Sequence, residues 1–302
     1  MKELVIIGAG PAGLSAALYA ARAGADFRIL DTNYMGGGQV LTTYEVDNYL
    51  GMPGMGGFDM GMKFQAHVTD MGVALEQAQV DKIEKTQEGF RVDTSIGSIE
   101  TKTVLLATGA ENSKLKVDGE ERLKGKGVSY CATCDGAFYR EKTVAVVGGS
   151  YTAVEDAIYL ANICKKVYVV HRRDKLRAGA VLEGKLFACE NVEMVWNSEV
   201  KEILGDSKVS AIRIFDKAAC EIEEIFVDGV FVAVGTTPST DLVKDILELD
   251  EFGYVCAGET GETTQEGLYV AGDLRQKSLR QIVTAVADGA NAFHAIWEYM
   301  KG

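Results

Sequence analysis

The sequence predicts an α/β protein with two tandem Rossmann-like dinucleotide-binding domains, the second inserted in the first, each with a β-meander. Three observations support this prediction. An apolar strand, a glycine turn and a helix follow one another twice, and the glycine turns begin at Gly8 and Gly148. Each unit then continues into a run of β-like segments that closes on a strand ending in a small-residue turn. The length of 302 residues exceeds one ordinary core and suits two domains.

The first unit opens with the apolar strand LVII, residues 4–7, and the glycine turn GAGPAG. A helix follows to about Arg22, and the next strand, FRIL, ends at Asp31. A β excursion with the segments GFRVDTS and SIETKT leads to a closing strand, VLLATGA, at residues 104–110. This order of elements is typical of a dinucleotide-binding unit.

The second unit repeats the order, from the strand VAVV at residues 144–147 through the turn GGSYTA and a helix to the strand KVYVVH. The tail that follows, with a strand at residues 268–272 and a long terminal helix, is too short for a core of its own. We therefore expect residues 1–113 and 241–302 to form one domain that carries residues 114–240 as an insertion. The two chain crossings would then act as a double hinge.

The charge balance restricts the partners of this chain. With a net charge of −13, its surface repels the phosphates of nucleic acids and anionic lipids, although a local basic pocket remains compatible. No apolar run reaches the roughly 18–20 residues that span a bilayer, and the N-terminal glycines continue into a helix, unlike a signal peptide. We therefore expect a cytoplasmic protein that binds neither nucleic acid nor membrane.

The first glycine turn has the residues that a dinucleotide needs. Gly8 forms the turn, Gly10 lets the backbone approach a pyrophosphate, and Gly13 lets the helix pack closely on the strand. The helix N-terminus favours an anion, and Asp31 can accept hydrogen bonds from ribose hydroxyls. Two further segments can meet the same ligand, namely Gly37–Gly38–Gln39 and Gly272–Asp273. The former is equally compatible with a flexible loop.

The second glycine turn, which begins at Gly148–Gly149, is imperfect. Ser150 occupies the position of the second glycine, where a side chain would face the pyrophosphate. The strand beyond the turn ends in His171–Arg172–Arg173, with Arg177 shortly after, and the strand end itself has no acid for a ribose hydroxyl. Guanidinium groups suit a 2′-phosphate through bidentate hydrogen bonds. The alternative is a solvated basic face on an acidic protein.

Cys131 and Cys134 are the only two of the six cysteines that lie close together in the sequence. In a cytosolic chain such a pair is more typical of a redox or metal site than of a structural disulfide. The spacing allows a disulfide across one helical turn, and a thiol at a helix N-terminus is more nucleophilic. Zinc normally needs four ligands, and since the sequence has no second CxxC, we predict no metal. Asp135 is either a surface carboxylate or the acid that protonates a departing thiolate.

Together these motifs resemble those of the low-molecular-weight bacterial thioredoxin reductases, which are class II pyridine nucleotide-disulfide oxidoreductases. The resemblance runs over essentially the whole chain, in order, and is most specific in CATCDG and HRRDKLR. In the larger disulfide reductases, by contrast, the cysteine pair lies near the N-terminus. The other matching segments are VIIGAGPAGLSAALYAARAG, GGGQ, TTYEVDNY, LLATGA, TAVEDAIYLAN, VFVAVG and YVAGDLRQKSLRQIVTAVADG.

The resemblance implies an enzyme that carries electrons from NADPH through FAD and the Cys131–Cys134 disulfide to oxidised thioredoxin. Cys134 matches the thiol that exchanges electrons with the flavin, Cys131 the thiol that attacks thioredoxin, and Asp135 the acid of the pair. The resemblance also implies a homodimer whose inserted domain rotates on its two hinges. The residues that match the FAD site are Gly8, Gly10, Gly13, Asp31, Gly38, Gln39, Asn48, Gly272, Asp273, Arg280 and Gln281. Those expected at the NADPH site are Gly148, Gly149, Ser150, Thr152, His171, Arg172, Arg173 and Arg177.

Three departures from the family pattern affect these expectations. Thr236 and Thr237 after VAVG, and the lack of Trp-Pro after Asn48, adjust packing only. Ser150 and Tyr151 in the second turn leave the electron donor open, because ferredoxin-dependent relatives have degenerate second turns. Those relatives usually lose the arginines as well, and this chain keeps them. The alternatives are therefore a similar flavoprotein that uses ferredoxin or NADH, and a flavin-binding redox sensor.

Overall fold

A computed structural model describes residues 1–43, 46 and 48–301. The strands are β1 Lys2–Ile7, β2 Phe27–Asp31, β3 Leu75–Gln77, β4 Val80–Lys85, β5 Phe90–Thr94, β6 Gly97–Leu106, β7 Ala110–Asn112, β8 Val128–Ser129, β9 Thr143–Val147, β10 Lys166–Val170, β11 Val192–Val195, β12 Ser198–Leu204, β13 Ala211–Asp216, β14 Glu221–Phe226, β15 Gly229–Val232, β16 Thr236–Pro238 and β17 Leu268–Val270. The α-helices are α1 Pro11–Ala23, α2 Gly57–Thr69, α3 Ala132–Asp135, α4 Tyr151–Ala161, α5 Ala180–Phe187 and α6 Ile282–Lys301. Among the described residues, no helix combines the length and the apolar character needed to cross a bilayer.

The chain divides into two compact units. The outer unit comprises Met1–Glu111 and Thr237–Gly302, and the inserted unit comprises Asn112–Thr236. The connecting strands β7 and β16 pair with each other as a two-stranded sheet. The α/β fold class expected from the sequence, with one Rossmann-like unit inserted in another, is confirmed.

The outer unit contains a mixed seven-stranded sheet in the order β3-β2-β1-β6-β5-β4, with β17 also paired to β6. Alternate residues of β1 face opposite sides of this sheet. Leu4 and Ile6 pack with α1 and α6, whereas Val5 and Ile7 pack with the meander β4–β6. Because both faces are covered, the buried part of β1, residues 4–7, is a continuous apolar run, as is typical of central parallel strands.

Strand β6 serves both parts of the outer sheet. Its first half pairs antiparallel with β5, with Gly97 opposite Thr94, and its second half pairs parallel with β1, with Leu106 opposite Ile7. The sequence analysis treated SIETKT and VLLATGA as separate segments, and the structure joins them in one strand. The predicted strand at 104–110 is wrong at its end, because the chain leaves the sheet after Leu106 and turns at Gly109, where φ is +71°.

The inserted unit repeats the architecture on a smaller scale. Its parallel sheet has the order β11-β10-β9-β15-β8, and a separate antiparallel meander has the order β12-β13-β14. Helices α4 and α5 cover one face of the sheet with the core around Val146 and Leu160. The meander covers the other face with the core around Val147 and Ile212. The CxxC segment lies between β8 and β9, so the parallel sheet carries it at its edge.

Helices α1 and α6 pack with their backbones in contact in the outer unit. A Cβ added at Gly289 of α6 would lie 2.0 Å from the carbonyl oxygen of Ala12 in α1. The Ser15 hydroxyl donates to the Val286 carbonyl at 2.7 Å across the same interface. The C-terminal helix is thereby fixed against the helix that follows the first glycine turn.

We expect Gly289→Ala to lower the free energy of unfolding by about 1–3 kcal/mol, because the new methyl group has to push the two helices apart. Urea denaturation followed by circular dichroism measures this change. Gly184→Ala is the matched control, since an added Cβ at this exposed position of α5 meets open space. This control should gain about 0.5–1 kcal/mol from helix propensity. A Gly289→Ala protein as stable as the wild type would contradict the observed packing.

Candidate functional site

The first glycine turn forms a cradle without side chains in the outer unit. Gly8 has φ of +103°, and a Cβ there would lie 2.4 Å from the carbonyl oxygen of Ala107. A Cβ at Gly13 would lie 1.8 Å from the carbonyl oxygen of Gly8, so that α1 follows the turn at backbone contact. Gly10 is the N-cap of α1 and provides no capping side chain. A Cβ on Gly38 would lie 3.1 Å from the Cα of Gly10, which brings the two predicted segments together.

Asp31 lies at the end of β2, beside this turn. Its Oδ2 accepts a hydrogen bond from the Ala9 amide at 2.6 Å, and its Oδ1 accepts one from the Asn33 amide at 2.7 Å. The carboxylate therefore fixes the turn and the following loop. Each oxygen retains a second acceptor position, which a ribose hydroxyl can use.

Gly272 and Asp273 follow β17 at the same end of the sheet. Gly272 has φ of +84°, and its amide donates to Asp288 Oδ2 at 2.9 Å. The buried Oδ1 of Asp273 forms an ion pair with Lys277 Nζ at 3.3 Å, without a well-formed hydrogen bond to any described residue. Burial raises the pKa of Asp273, and Lys277 acts in the opposite direction. Asp273 is thus a buried acceptor that a ligand hydroxyl could satisfy.

Asp288 holds this region together, although no sequence motif pointed to it. Its carboxylate accepts two hydrogen bonds from the Arg275 guanidinium, at 2.8 and 2.7 Å, and lies 3.1 Å from Lys277 Nζ. All three side chains are nearly inaccessible to solvent. Burial disfavours the ionised form, but the contacts with both cations outweigh it, so that the pKa of Asp288 is lowered. The signal in the sequence is a group of charges in an otherwise apolar tail.

The remaining residues predicted for the outer site also come together. Asn48 Nδ2 donates to Gln281 Oε1 at 2.9 Å, and Gln39 donates to the Ala110 carbonyl. The Arg280 guanidinium lies 3.8 Å from the ring centre of Tyr254. It also contacts the carbonyl oxygens of Asp273 and Arg275, each at 3.3 Å. Tyr44, Glu45 and Asp47 of the TTYEVDNY segment lie outside the described residues.

Cys131 and Cys134 form a disulfide in the inserted unit, with their Cα atoms 5.3 Å apart. Cys131 is the N-cap of the short helix α3, and its sulfur accepts a hydrogen bond from the Cys134 amide at 3.2 Å. Cys164, Cys189, Cys220 and Cys256 are free. The two cysteines therefore form the disulfide that the redox interpretation of the CxxC pair requires.

Asp135 follows the disulfide and is mostly buried. Ser129 Oγ donates to its Oδ2 at 2.6 Å, while its Oδ1 has no hydrogen-bond partner among the described residues. Burial raises the pKa of Asp135, and the hydrogen bond from Ser129 opposes this effect. The alternative of an exposed surface carboxylate is therefore wrong. A carboxyl with a raised pKa is better suited to hold a proton that it can donate.

A second buried carboxylate fixes the chain just before the disulfide. Glu120 is 1% exposed, and it accepts hydrogen bonds from the amides of Leu115 and Lys116 at 2.9 and 2.7 Å. The hydroxyl of Tyr130, which precedes Cys131, donates to the same carboxylate at 2.9 Å. Burial, together with this contact, raises the pKa of Tyr130. The sequence analysis did not identify either residue.

The second glycine turn accommodates Ser150 as a helix cap. Its hydroxyl accepts a hydrogen bond from the Ala153 amide at 3.4 Å, at the start of α4. The ring of the buried His171 lies against Gly149, where an added Cβ would be 2.3 Å from the ring. The Arg177 amide donates to the Gly149 carbonyl at 2.8 Å, which brings the basic segment back to the turn.

The predicted phosphate-binding side chains are exposed. Arg172, Arg173 and Arg177 point to solvent, and within the described part of the chain no carboxylate forms an ion pair with any of them. Thr152 is exposed on the first turn of α4. Three unpaired guanidinium groups next to a glycine turn provide the chemistry that a phosphate needs.

A family model described as pyridine nucleotide-disulphide oxidoreductase matches residues 2–289. The chain belongs to this family. The thioredoxin reductase of Listeria innocua is 40% identical over 300 residues, which cover 99% of this chain and 94% of that protein. The structure of thioredoxin reductase from Streptococcus pyogenes has a TM-score of 0.92 and 42% identity, covering 100% of this chain and 98% of that chain. A ferredoxin-flavin thioredoxin reductase from Clostridium acetobutylicum has a TM-score of 0.54 and 32% identity, covering 100% of this chain and 99% of that chain.

Membership in the pyridine nucleotide-disulphide oxidoreductases confirms the resemblance found in the sequence. The residues of the outer unit fit the dinucleotide that such a protein requires. Gly8, Gly10 and Gly38 leave room for a pyrophosphate at the N-terminus of α1, and Asp273 supplies a buried oxygen that has an ion pair with Lys277 but no hydrogen-bond partner among the described residues.

We expect Asp288→Asn to lower the free energy of unfolding at pH 7 by about 3 kcal/mol, because the buried cations of Arg275 and Lys277 lose their counter-charge. The pKa of Asp288 is lowered, so its contribution is complete above the ordinary carboxyl pKa and is lost as the pH falls through the lowered value. Urea denaturation at several pH values measures both effects. The control Asp241→Asn removes a 95% exposed carboxylate and should change stability by less than about 0.5 kcal/mol. Equal effects of the two changes would contradict the buried network.

Proposed function

We propose that this protein is a thioredoxin reductase that takes electrons from NADPH, passes them through FAD and the Cys131–Cys134 disulfide, and delivers them to oxidised thioredoxin. The observation that carries the proposal is the closed disulfide beside the buried acid Asp135, in a chain with two dinucleotide turns. The thioredoxin reductases among its relatives, similar over nearly their whole length, support it. We also propose a cytoplasmic homodimer, as the resemblance implies.

The outer unit would hold FAD, which can accept two electrons as a hydride and deliver them to a disulfide. The cradle of Gly8, Gly10 and Gly38 would receive the pyrophosphate, and Asp31 a ribose hydroxyl. Asp273 would accept a hydrogen bond from a ligand hydroxyl. The cluster of Arg275, Lys277 and Asp288 would hold this acceptor in place without reaching the ligand.

The inserted unit would bind NADPH at its glycine turn. Gly148 and Gly149 bring backbone amides to the N-terminus of α4. The Ser150 side chain would not fill the space beside these amides, because its hydroxyl caps the helix. Arg172, Arg173 and Arg177 would bind the 2′-phosphate through charge-assisted hydrogen bonds. Buried His171 would act as support beneath Gly149.

The dithiol would reduce thioredoxin by exchange. Cys131 leads α3 and is the attacking thiol, while Cys134 is the thiol that resolves the mixed disulfide and exchanges electrons with the flavin. Asp135 would provide the proton that a departing thiolate needs. Since the dithiol and the nucleotide turn lie on one unit and both must reach one flavin, we expect this unit to alternate between two orientations.

A ferredoxin-dependent activity is the second candidate. The observations that favour it are Ser150 in the second glycine turn and the similarity to the ferredoxin-flavin thioredoxin reductase. The three unpaired arginines favour NADPH, because ferredoxin offers no 2′-phosphate for them to bind.

We expect Arg172→Ala and Arg177→Ala each to lower kcat/KM for NADPH by about 10- to 100-fold, through loss of a hydrogen bond to a charged group. The kcat/KM for NADH should stay unchanged, and stopped-flow flavin absorbance measures both. Arg213→Ala is the control, since this guanidinium is paired with Glu202 in the meander. Flavin reduction by reduced ferredoxin but by neither nucleotide would establish the second candidate instead.

We expect Cys134→Ser to abolish thioredoxin reduction while the flavin absorbance of the purified protein remains, because the flavin contacts lie in the outer unit. Insulin reduction coupled to thioredoxin measures the activity. Cys189→Ser, which changes a free cysteine of the same unit, should retain full activity. Undiminished turnover of Cys134→Ser would remove the dithiol from the mechanism.

A further inference from the structure

A buried hydroxyl joins the acid to the leading cysteine. Ser129, the last residue of β8, is 5% exposed. Its Oγ donates to Asp135 Oδ2 at 2.6 Å and accepts a hydrogen bond from the Cys131 amide at 3.1 Å. The carbonyl oxygen of Cys131 lies 3.3 Å from the same Oγ. One side chain thus contacts the backbone of the attacking residue and the carboxyl that follows the pair.

The Ser129 hydroxyl can form a hydrogen bond with Asp135 whether the carboxyl is ionised or protonated. When Asp135 is ionised, Ser129 donates its proton to the carboxylate. When Asp135 carries a proton on Oδ2, that proton can be donated to Ser129 Oγ, and the hydroxyl proton can turn to the Cys131 carbonyl at 3.3 Å. Because Asp135 Oδ1 has no hydrogen-bond partner among the described residues, Ser129 is the contact that stabilises the carboxylate.

We propose that Ser129 is a positioning residue for proton transfer by Asp135 during disulfide exchange, an inference that rests on the function proposed above. The Cys131 thiolate attacks one sulfur of the substrate disulfide, and a mixed disulfide forms as the substrate S–S bond breaks. The departing substrate thiolate takes the proton of the Asp135 carboxyl. Ser129 donates to the carboxylate that remains, and thereby offsets the cost of leaving a charge in a buried place.

The second exchange completes the balance. Cys134 attacks the Cys131 sulfur, the mixed disulfide breaks, and the Cys131–Cys134 bond forms again. The thiol proton of Cys134 passes through the Asp135 carboxylate to the second substrate sulfur. The enzyme has then lost two electrons from its dithiol and two protons, one from the Asp135 carboxyl and one from the Cys134 thiol, and the substrate disulfide has gained both electrons and both protons. Asp135 is left ionised and regains its proton from water.

The test compares two disulfides whose leaving thiols differ in acidity. 5,5′-Dithiobis(2-nitrobenzoate) releases an acidic thiol that needs no proton, whereas bis(2-hydroxyethyl) disulfide releases a basic thiolate that does. The holoenzyme is reduced with dithiothreitol, desalted and mixed with each disulfide in a stopped-flow instrument between pH 5 and 9. The ratio of the two rates at each pH cancels the thiolate fraction of Cys131, so it reports only the proton supplied to the leaving group.

We expect Ser129→Ala to lower the rate with bis(2-hydroxyethyl) disulfide by about tenfold at low pH, with the rate toward the acidic leaving thiol unchanged. The pH at which the ratio falls should shift upward, because the carboxylate of Asp135 has lost its donor. Ser129→Thr, which keeps the hydroxyl, should restore the ratio. Ser210→Ala, at an exposed serine of the same unit, should behave as the wild type.

Equal slowing of both disulfides by Ser129→Ala, or a ratio identical to that of the wild type, would overturn the proposal. Asp135→Asn separates this failure from failure of the proposed function. If Asp135→Asn lowers the ratio and Ser129→Ala does not, Asp135 is the acid and Ser129 has no part in positioning it. If neither change affects the ratio, the acid role of Asp135 itself is wrong. The dithiol is reduced chemically, so the result does not depend on the electron donor.

Discussion

Contact between backbones, made possible by absent Cβ atoms, is the constraint on which this structure depends. In the outer unit Gly8 lies against Ala107, and Gly13 lies against Gly8, so that α1 starts directly above the sheet. Gly148 repeats this contact in the inserted unit, where an added Cβ would lie 2.4 Å from the Ala233 carbonyl oxygen. Any side chain at these positions would separate helix from strand and close the space that we propose for a pyrophosphate. The same atoms thus determine both packing and binding.

Buried and exposed cations of this chain differ in whether they have a counter-charge. The chain carries a net charge of −13, and two of its groups of basic side chains lie in opposite surroundings. In the outer unit Arg275 and Lys277 are buried and neutralised by Asp288. In the inserted unit Arg172 and Arg177 are exposed and unpaired within the described chain. A buried cation needs a counter-charge within the folded chain, whereas an exposed cation is hydrated by water and can bind a ligand phosphate.

Hydrogen bonds with buried side chains hold the backbone next to the disulfide in place. Glu120 holds Tyr130 and the segment before it, and Ser129 holds Asp135 and the Cys131 amide. The two residues held in this way before the disulfide, Ser129 and Tyr130, directly precede Cys131. Thiol–disulfide exchange requires the attacking sulfur to approach the disulfide bond in line. Because the backbone before Cys131 is held in place, only the sulfur atoms need to move during the attack.

The sequence by itself determined the repeated units, the glycine turns and the redox pair, because each depends on residues close together in the chain. It also identified the arginine segment and the residues that converge on the outer site. Only the tertiary structure decided that β6 joins two predicted segments, that Ser150 caps α4, and that Asp288 supports Asp273. It alone revealed Ser129 as the partner of Asp135. The pairing of β6 and the contacts of Asp288 depend on segments that are distant in the chain. The hydrogen bonds of Ser150 and Ser129 are local, but their direction depends on the backbone geometry and on the burial of their partners. None of these has a periodic signature in the sequence.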